Sequence, residues 1–395
     1  MSVTYASGFR AAGVAAGFKS SGRPDLAMLV GDPGTTTAGL FTTNRVQAAP
    51  VRLSRARLAE GEARAVLVNS GQANAATGDR GDRDAIAATA AAAEIAGLGA
   101  GELLSCSTGV IGEPLHMDRL TAALPGLTRD LSPKGGVDFA HAITTTDTVS
   151  KSATAEAGPL KVGGSAKGVG MIAPNLATML TFVTTDAVVA APHLQLLAEE
   201  VLKPRFNALT VDACQSTNDT VLLFASGAAG SLVEPGSPAW GGLAEGLEAV
   251  GDSLAQQLIH DAEGVTHVLI VAVEGAETDE AARRVAKAIA DSPLVKTAAF
   301  GQDPNPGRIV QAIGSAGVAM DPRLIDVWLG HTQVVAAGVI PVAYFDGDLH
   351  EHAAKQMTEP EIAIRVSLGP GPGNSRTLGC DLSYEYVRIN GEYTT

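Results

Sequence analysis

The stretch Met171-Ile-Ala-Pro-Asn-Leu-Ala-Thr-Met-Leu-Thr-Phe-Val-Thr-Thr-Asp186 constrains this chain more than any other. From Thr178 to Thr185 it is a run of apolar and β-branched residues, the composition of a strand buried in a core. Pro174-Asn175 ahead of it is a turn signal, because proline presets φ and asparagine tolerates unusual backbone angles. Lys167-Gly-Val-Gly170 is a flexible glycine-rich approach. A threonine thus stands where a tight turn enters a core strand. If the bond between Ala177 and Thr178 were cut, Thr178 would carry a hydroxyl nucleophile and a free α-amine on one residue. That amine can act as general base for its own hydroxyl. On local pattern alone, an ordinary strand start is the commoner meaning of such a threonine.

The chain has 395 residues, 46% hydrophobic and 18% charged, with 45 glycines. That length suits two domains or one large α/β unit with a substantial core. A formal charge of -14 argues against nucleic acid or an acidic membrane surface as the main partner, so an acidic substrate needs individual Lys or Arg side chains. Cys106, Cys214 and Cys380 lie far apart without a CxxC pair, and are expected to be small buried residues in a reducing compartment. No basic-then-apolar leader and no membrane-length apolar run is visible, which predicts a soluble cytoplasmic protein. The eight histidines show no metal-ligand spacing, and no Walker A sequence is present.

Gly8–Gly17 and Ala27–Asp32 predict an early hairpin, Thr35–Asn44 a further strand, and Ala65–Asn69 a short buried strand ending in the polar loop Ser70–Asn74. Asp82–Ala96 predicts a helix stopped by Gly97. Leu103–Gly112 reads as a strand running into a glycine-bearing turn. Thr108-Gly109 matters there, because backbone N–H groups after a strand can stabilise an oxyanion; a plain turn is the simpler alternative. Thr144–Thr148 is a dense hydroxyl cluster, suited either to a polar substrate or to a solvated loop.

Further on, the pattern predicts a helix over Pro192–Leu202 with Pro204 beyond its end, and strands at Leu209–Asp212 and Thr220–Phe224. It then gives a long helix over Ala239–Ile259, a polar turn holding Glu263, a strand over His267–Val273 and a helix over Asp279–Ala290. Ser292–Thr297 and Gly301–Arg308 read as loop-rich. Strands from Val327 to Val342, a helix near Glu359 and the terminal stretch Tyr386–Asn390 complete the chain. Gly369-Pro-Gly-Pro-Gly-Asn374 is no nucleotide fingerprint, because its prolines prevent the phosphate-holding helix.

Several of these segments together resemble the ornithine acetyltransferase family, the glutamate N-acetyltransferases of the arginine pathway. They are Gly8–Gly17, Val68–Gly71, Ser107–Gly112, Thr145–Thr148, Ala166–Met171, Pro174–Leu180, Ser216–Thr220, Asp261–Gly264, Ser292–Thr297 and Tyr386–Thr395, in family order from end to end. The resemblance implies a layered α/β sandwich of central β-sheets flanked by helices, convergent with N-terminal nucleophile hydrolases, with a smaller second domain. It implies self-cleavage between Ala177 and Thr178. The fragments 1–177 and 178–395 would stay together as α and β chains, in a heterotetramer of two α and two β.

By motif, the resemblance makes Thr178 the nucleophile that takes acetyl from N2-acetylornithine and passes it to glutamate, a ping-pong transfer. Thr108 and Gly109 match the oxyanion-hole pair. Thr145, Lys167, Thr178, Glu263, Asn390 and Thr395 match substrate contacts, Lys167 for a carboxylate and Glu263 for an ammonium. No metal or cofactor is implied, although some members also take acetyl-CoA as donor. Ala173 stands where some members have histidine, and Pro306 where many have tryptophan. The competing readings are an N-terminal nucleophile aminopeptidase or amidase of similar architecture, an acetyltransferase paralogue in a specialised metabolite pathway, and a non-enzymatic small-molecule binding protein.

Overall fold

The computed structural model of the chain describes residues 2–173 and 179–392. It divides into two compact units, a larger one of residues 1–207 with 215–258 and a smaller one of 208–214 with 259–394.

The larger unit is built on two sheets. The first has the order β1 (Phe9–Val14), β2 (Leu26–Gly31), β4 (Ala65–Gln72), β5 (Leu103–Val110), with β4 and β5 parallel and the other pairs antiparallel. The second has the order β3 (Thr36–Phe41), β9 (Thr220–Ala225), β8 (Leu180–Thr185), β7 (Leu160–Lys167), β6 (Lys151–Ala157), with only β8 and β9 parallel.

Successive strand residues point to opposite faces, and β2 shows what this does for the layering. Ala27 and Leu29 join Val66, Val68, Leu104 and Cys106 in one core with Leu180, Phe182, Leu222 and Phe224 of the second sheet. Leu26, Met28 and Val30 point the other way, onto Ala88 and Ala92 of the helix Gly78–Ala96 and Leu120, Leu124 and Leu127 of the helix Met117–Arg129. Both faces of β2 are therefore buried. On the outer face of the second sheet, Gly164 and Gly246 let the helix Pro238–His260 come close: a Cβ at Gly164 would lie 2.9 Å from Val250, and one at Gly246 would lie 2.9 Å from Ala157. The unit is thus a four-layer helix–sheet–sheet–helix sandwich, the α/β class expected. β8 is buried at all six positions, as its composition predicts.

The smaller unit holds one sheet of order β12 (Thr332–Val335), β11 (Asp326–Leu329), β13 (Glu361–Ser367), β10 (Val268–Ala276), β14 (Gly373–Cys380). β13 alternates exposed Glu361, Ala363 and Arg365 with buried Ile362, Ile364 and Val366. The buried set packs with Val285, Ala286 and Ile289 of the helix Asp279–Asp291.

Several expectations need correction. Ser292–Thr297 is not a loop, since a helix runs over Pro293–Phe300; Gly301–Asn305 is irregular as expected, but Pro306 opens a further helix, Pro306–Ser315. Ser292 and Asn305 cap them by accepting from Val295 N and Arg308 N. In both, proline opens the first turn, where its missing N–H costs nothing. The helix that starts at Ala191 does not end before Pro204; a π turn over Ala198–Leu202 carries it into Lys203–Asn207. That wider turn changes the hydrogen-bond register ahead of a proline that would break a regular helix. Leu209–Asp212 forms only a single bridge from Leu209 to Leu378, after which Asp212 Oδ1 accepts from Cys214 N and turns the chain. β4 runs on to Gln72, through residues read as loop. The last strand of the 327–342 segment ends at Val335, and the helix Leu349–Gln356 stops before Glu359. The terminal stretch is a helix, Tyr384–Glu392. Cys106 and Cys380 are buried, but Cys214 is exposed.

Candidate active site

Lys167 ends β7 and is only 3% exposed. An ammonium so buried requires partners, and it has them: Nζ donates to Thr145 Oγ1 at 2.7 Å and to Thr108 Oγ1 at 3.2 Å, with Asp147 Oδ2 at 4.0 Å. A solvated surface lysine is thereby excluded. In the β7–β8 register Lys167 faces Leu180, two positions past Thr178 in the sequence. Three of the residues named from sequence, Thr108, Thr145 and Lys167, meet here although 59 and 22 residues separate Lys167 from the other two.

Thr108 and Gly109 sit at the end of β5, paired with Ser70 and Gly71 of β4. Gly109 has φ +127°, and a Cβ on it would lie 2.3 Å from the Gly71 carbonyl carbon and oxygen. Only glycine meets both conditions. The strand end is held from below: Asn218 Nδ2 donates to Ser107 O at 2.9 Å and to Ala73 O at 2.6 Å, and Ser107 Oγ donates to Asn69 Oδ1.

Asp147 organises the hydroxyl cluster. Its carboxylate takes Lys151 Nζ at 2.7 Å, Thr145 N at 2.9 Å and Gly168 N at 2.9 Å, and both it and Lys151 are fully buried at the side chain. Burial alone would raise its pKa; Lys167 and Lys151, with the Thr145 N–H, outweigh that and hold it at about 2. Asp219 is the opposite case. Buried, it accepts Met179 N on Oδ1 at 3.2 Å while Oδ2 has no hydrogen-bond partner among the described residues, and burial pushes its pKa well up against the smaller effects of Ser216, Met179 N–H and Lys167.

Asp147, Lys151 and Asp219 were not singled out from sequence. The available signal was the lone acid inside the threonine cluster with a lysine four residues on, and the acid of Ser216-Thr-Asn-Asp-Thr220.

In the smaller unit, Asn390 Nδ2 donates to Glu263 Oε2 at 2.9 Å, so two further predicted residues meet. Ser383 Oγ donates to Gly264 O at 2.6 Å and helps fix the turn that carries Glu263. Ala177, Thr178 and Thr395 lie outside the described residues.

A family model described as ArgJ matches residues 10–395. The chain belongs to the ArgJ family. Arginine biosynthesis bifunctional protein ArgJ of Parasynechococcus marenigrum (strain WH8102) is 47% identical over 399 residues, covering 100% of this chain and 95% of that protein. The protein of the same name from Symbiobacterium thermophilum is 44% identical over 400 residues, covering 100% and 98%. The crystal structure of arginine biosynthesis bifunctional protein argJ from Bacillus halodurans matches with TM-score 0.50 and 38% identity, covering 54% of this chain and 98% of that one. Among the described residues of this ArgJ-family chain, no helix is long and apolar enough to cross a membrane.

Proposed function

We propose that this chain is an acetyltransferase of arginine biosynthesis that moves acetyl from N2-acetylornithine to glutamate through an ester on Thr178. The observation that carries the reading is the buried Lys167 ammonium on the hydroxyls of Thr108 and Thr145, beside the strand whose sequence follows Thr178. Family membership supplies the arginine-pathway context.

The steps follow from the groups present. Thr178 Oγ would attack the acetyl carbonyl, with its own α-amine, reference pKa about 7.7–8.0, taking the hydroxyl proton. Negative charge collects on the carbonyl oxygen, which Thr108 and the Gly109 N–H would receive. Because Thr108 Oγ1 accepts from Lys167, its own proton is left for donation. The acetyl C–N bond then breaks, the stored proton goes to the departing nitrogen, and ornithine leaves. The amine of glutamate attacks the ester by the same route in reverse, yielding N-acetylglutamate and restoring Thr178. Lys167 with Thr145 would hold a substrate carboxylate.

The α-amine requires prior cleavage between Ala177 and Thr178. An N→O acyl shift onto Thr178 Oγ, followed by hydrolysis of that ester, would deliver it. The Bacillus halodurans crystal chain supports this indirectly: 98% of it is matched by 54% of this chain, a share close to that of a fragment the length of 178–395. Acetyl-CoA would serve as an alternative acetyl donor by the same attack of Thr178 on its acyl carbonyl.

Incubating the protein with N-acetylornithine and glutamate should give N-acetylglutamate and ornithine in equal amounts. Acetate release independent of glutamate would instead establish a hydrolase.

A further inference from the structure

We infer that the β1–β2 loop carries a second anion-binding position, built by Lys19 with Arg23, that receives the side-chain carboxylate of a dicarboxylic amino acid. The inference rests on the acetyltransferase reading above and names what selects glutamate as acceptor.

The loop is built rather than loose. The fully buried Asp25 accepts Ala16 N at 2.6 Å, Phe18 N at 2.6 Å and Lys19 N at 2.9 Å, so one carboxylate fixes the backbone on which Lys19 stands. It is also pressed against the oxyanion turn. A Cβ at Gly71 would lie 2.8 Å from Phe18 Cβ, and a Cβ at Gly109 would lie 2.3 Å from the Gly71 carbonyl. Phe18, Gly71 and Gly109 therefore stack in direct backbone contact, with Lys19 next in sequence to the first of them. On the same side, Arg23 Nη2 donates to the carbonyl of Thr145, the residue whose hydroxyl meets Lys167.

The charges here do not balance. Among the charged residues of the loop itself, Lys19 and Arg23 bring two cations and Asp25 one anion. Asp25 is engaged by three backbone N–H groups, and Asp147 by Lys151 and two more. Lys19 Nζ donates to the Pro24 carbonyl at 2.7 Å and forms no ion pair with a carboxylate among the described residues. Burial lowers it to about 8 against the pull of Asp25, and Arg23 and Lys167 lower it further. In a chain of net charge -14 this concentration of positive charge needs a ligand to explain it. Lys167 suits one carboxylate and Lys19 with Arg23 a second. Glutamate carries two; its amide analogue glutamine carries one.

The test is equilibrium binding of glutamate and of glutamine, by calorimetry, to the full-length protein and to Lys19→Met, Lys19→Arg and Arg23→Gln variants. The unaltered protein should hold glutamate at least about ten-fold more tightly than glutamine, the ratio one charge-assisted pair supplies. Lys19→Met should bring the two within about two-fold of each other, and Lys19→Arg should keep most of the difference. Arg23 is exposed, so Arg23→Gln should fold normally and narrow the ratio several-fold even if Lys19→Met does not fold. Full discrimination retained in both Lys19→Met and Arg23→Gln, or none in the unaltered protein, overturns the inference. The acetyltransferase reading is judged separately, by release of ornithine from N-acetylornithine by the unaltered protein.

Discussion

The Thr108 hydroxyl accepts from Lys167 at 3.2 Å and thereby has its proton to give. Thr108→Val removes that donor at nearly constant shape, and should lower kcat about 10²–10³-fold, measured by steady-state acetyl transfer. At Asp147 the prediction is a pH effect. Its folded pKa, about 2, lies below the ordinary carboxylate value near 4, so the stabilisation is complete above that value and is lost as pH falls through about 2. Asp147→Asn should cost about 3–5 kcal/mol at neutral pH, because it removes the carboxylate paired with the fully buried Lys151 ammonium, and the variant should lose less stability than the parent on acidification between pH 4 and 2. Chemical denaturation at several pH values reads both. Neither role of Asp147 was legible in the chain. Thr-Thr-Asp-Thr showed a polar cluster, but burial of a lysine side chain depends on strands that close over it from elsewhere. Lys167 was picked out through its motif; the two hydroxyls it meets come from residues 59 and 22 positions away.

Among the elements, β8 was readable because composition alone marks a strand buried on both faces. Its Phe182 lies in the core between the two sheets, edge-on to Phe139 with ring centroids 5.1 Å apart. Phe182→Ala should destabilise by about 3–5 kcal/mol in urea unfolding, without altering the hydroxyl cluster itself. The hairpin of β1 and β2 and the helix ended by Gly97 were equally plain, since each carries its own punctuation. The misread elements share a cause. Ser292-Pro293 and Asn305-Pro306 read as loop signals because proline and asparagine favour turns; the same pairs are also cap and first-turn residues of a helix, and for the second pair only the downstream apolar spacing of Ile309, Ala312 and Ile313 separates the two meanings. The extension of β4 to Gln72 was hidden because Ser70 and Gly71 look like loop residues, whereas their place is set by pairing with Thr108 and Gly109.

For the whole molecule, the division at 177/178 and the division into compact units do not coincide. The second sheet takes β3, β6 and β7 from residues before that junction, and β8 and β9 from residues after it. The pairings β7–β8 and β3–β9, together with the shared core, would hold fragments 1–177 and 178–395 as one body after cleavage. The two should co-elute on native size exclusion, at twice the mass of one chain if the α₂β₂ assembly forms, and separate only in denaturant. The layered class was accessible from sequence through family resemblance; the crossing of strands between the two halves was not, because pairing partners are set by topology rather than by local pattern. The most direct test of the account is denaturing mass spectrometry of the protein after exposure to N-acetylornithine without glutamate. The account predicts two fragments divided at Ala177/Thr178, with one added acetyl group on residue 178 that glutamate then removes; an uncut chain that still transfers acetyl, or an acetyl group on any other residue, would contradict it.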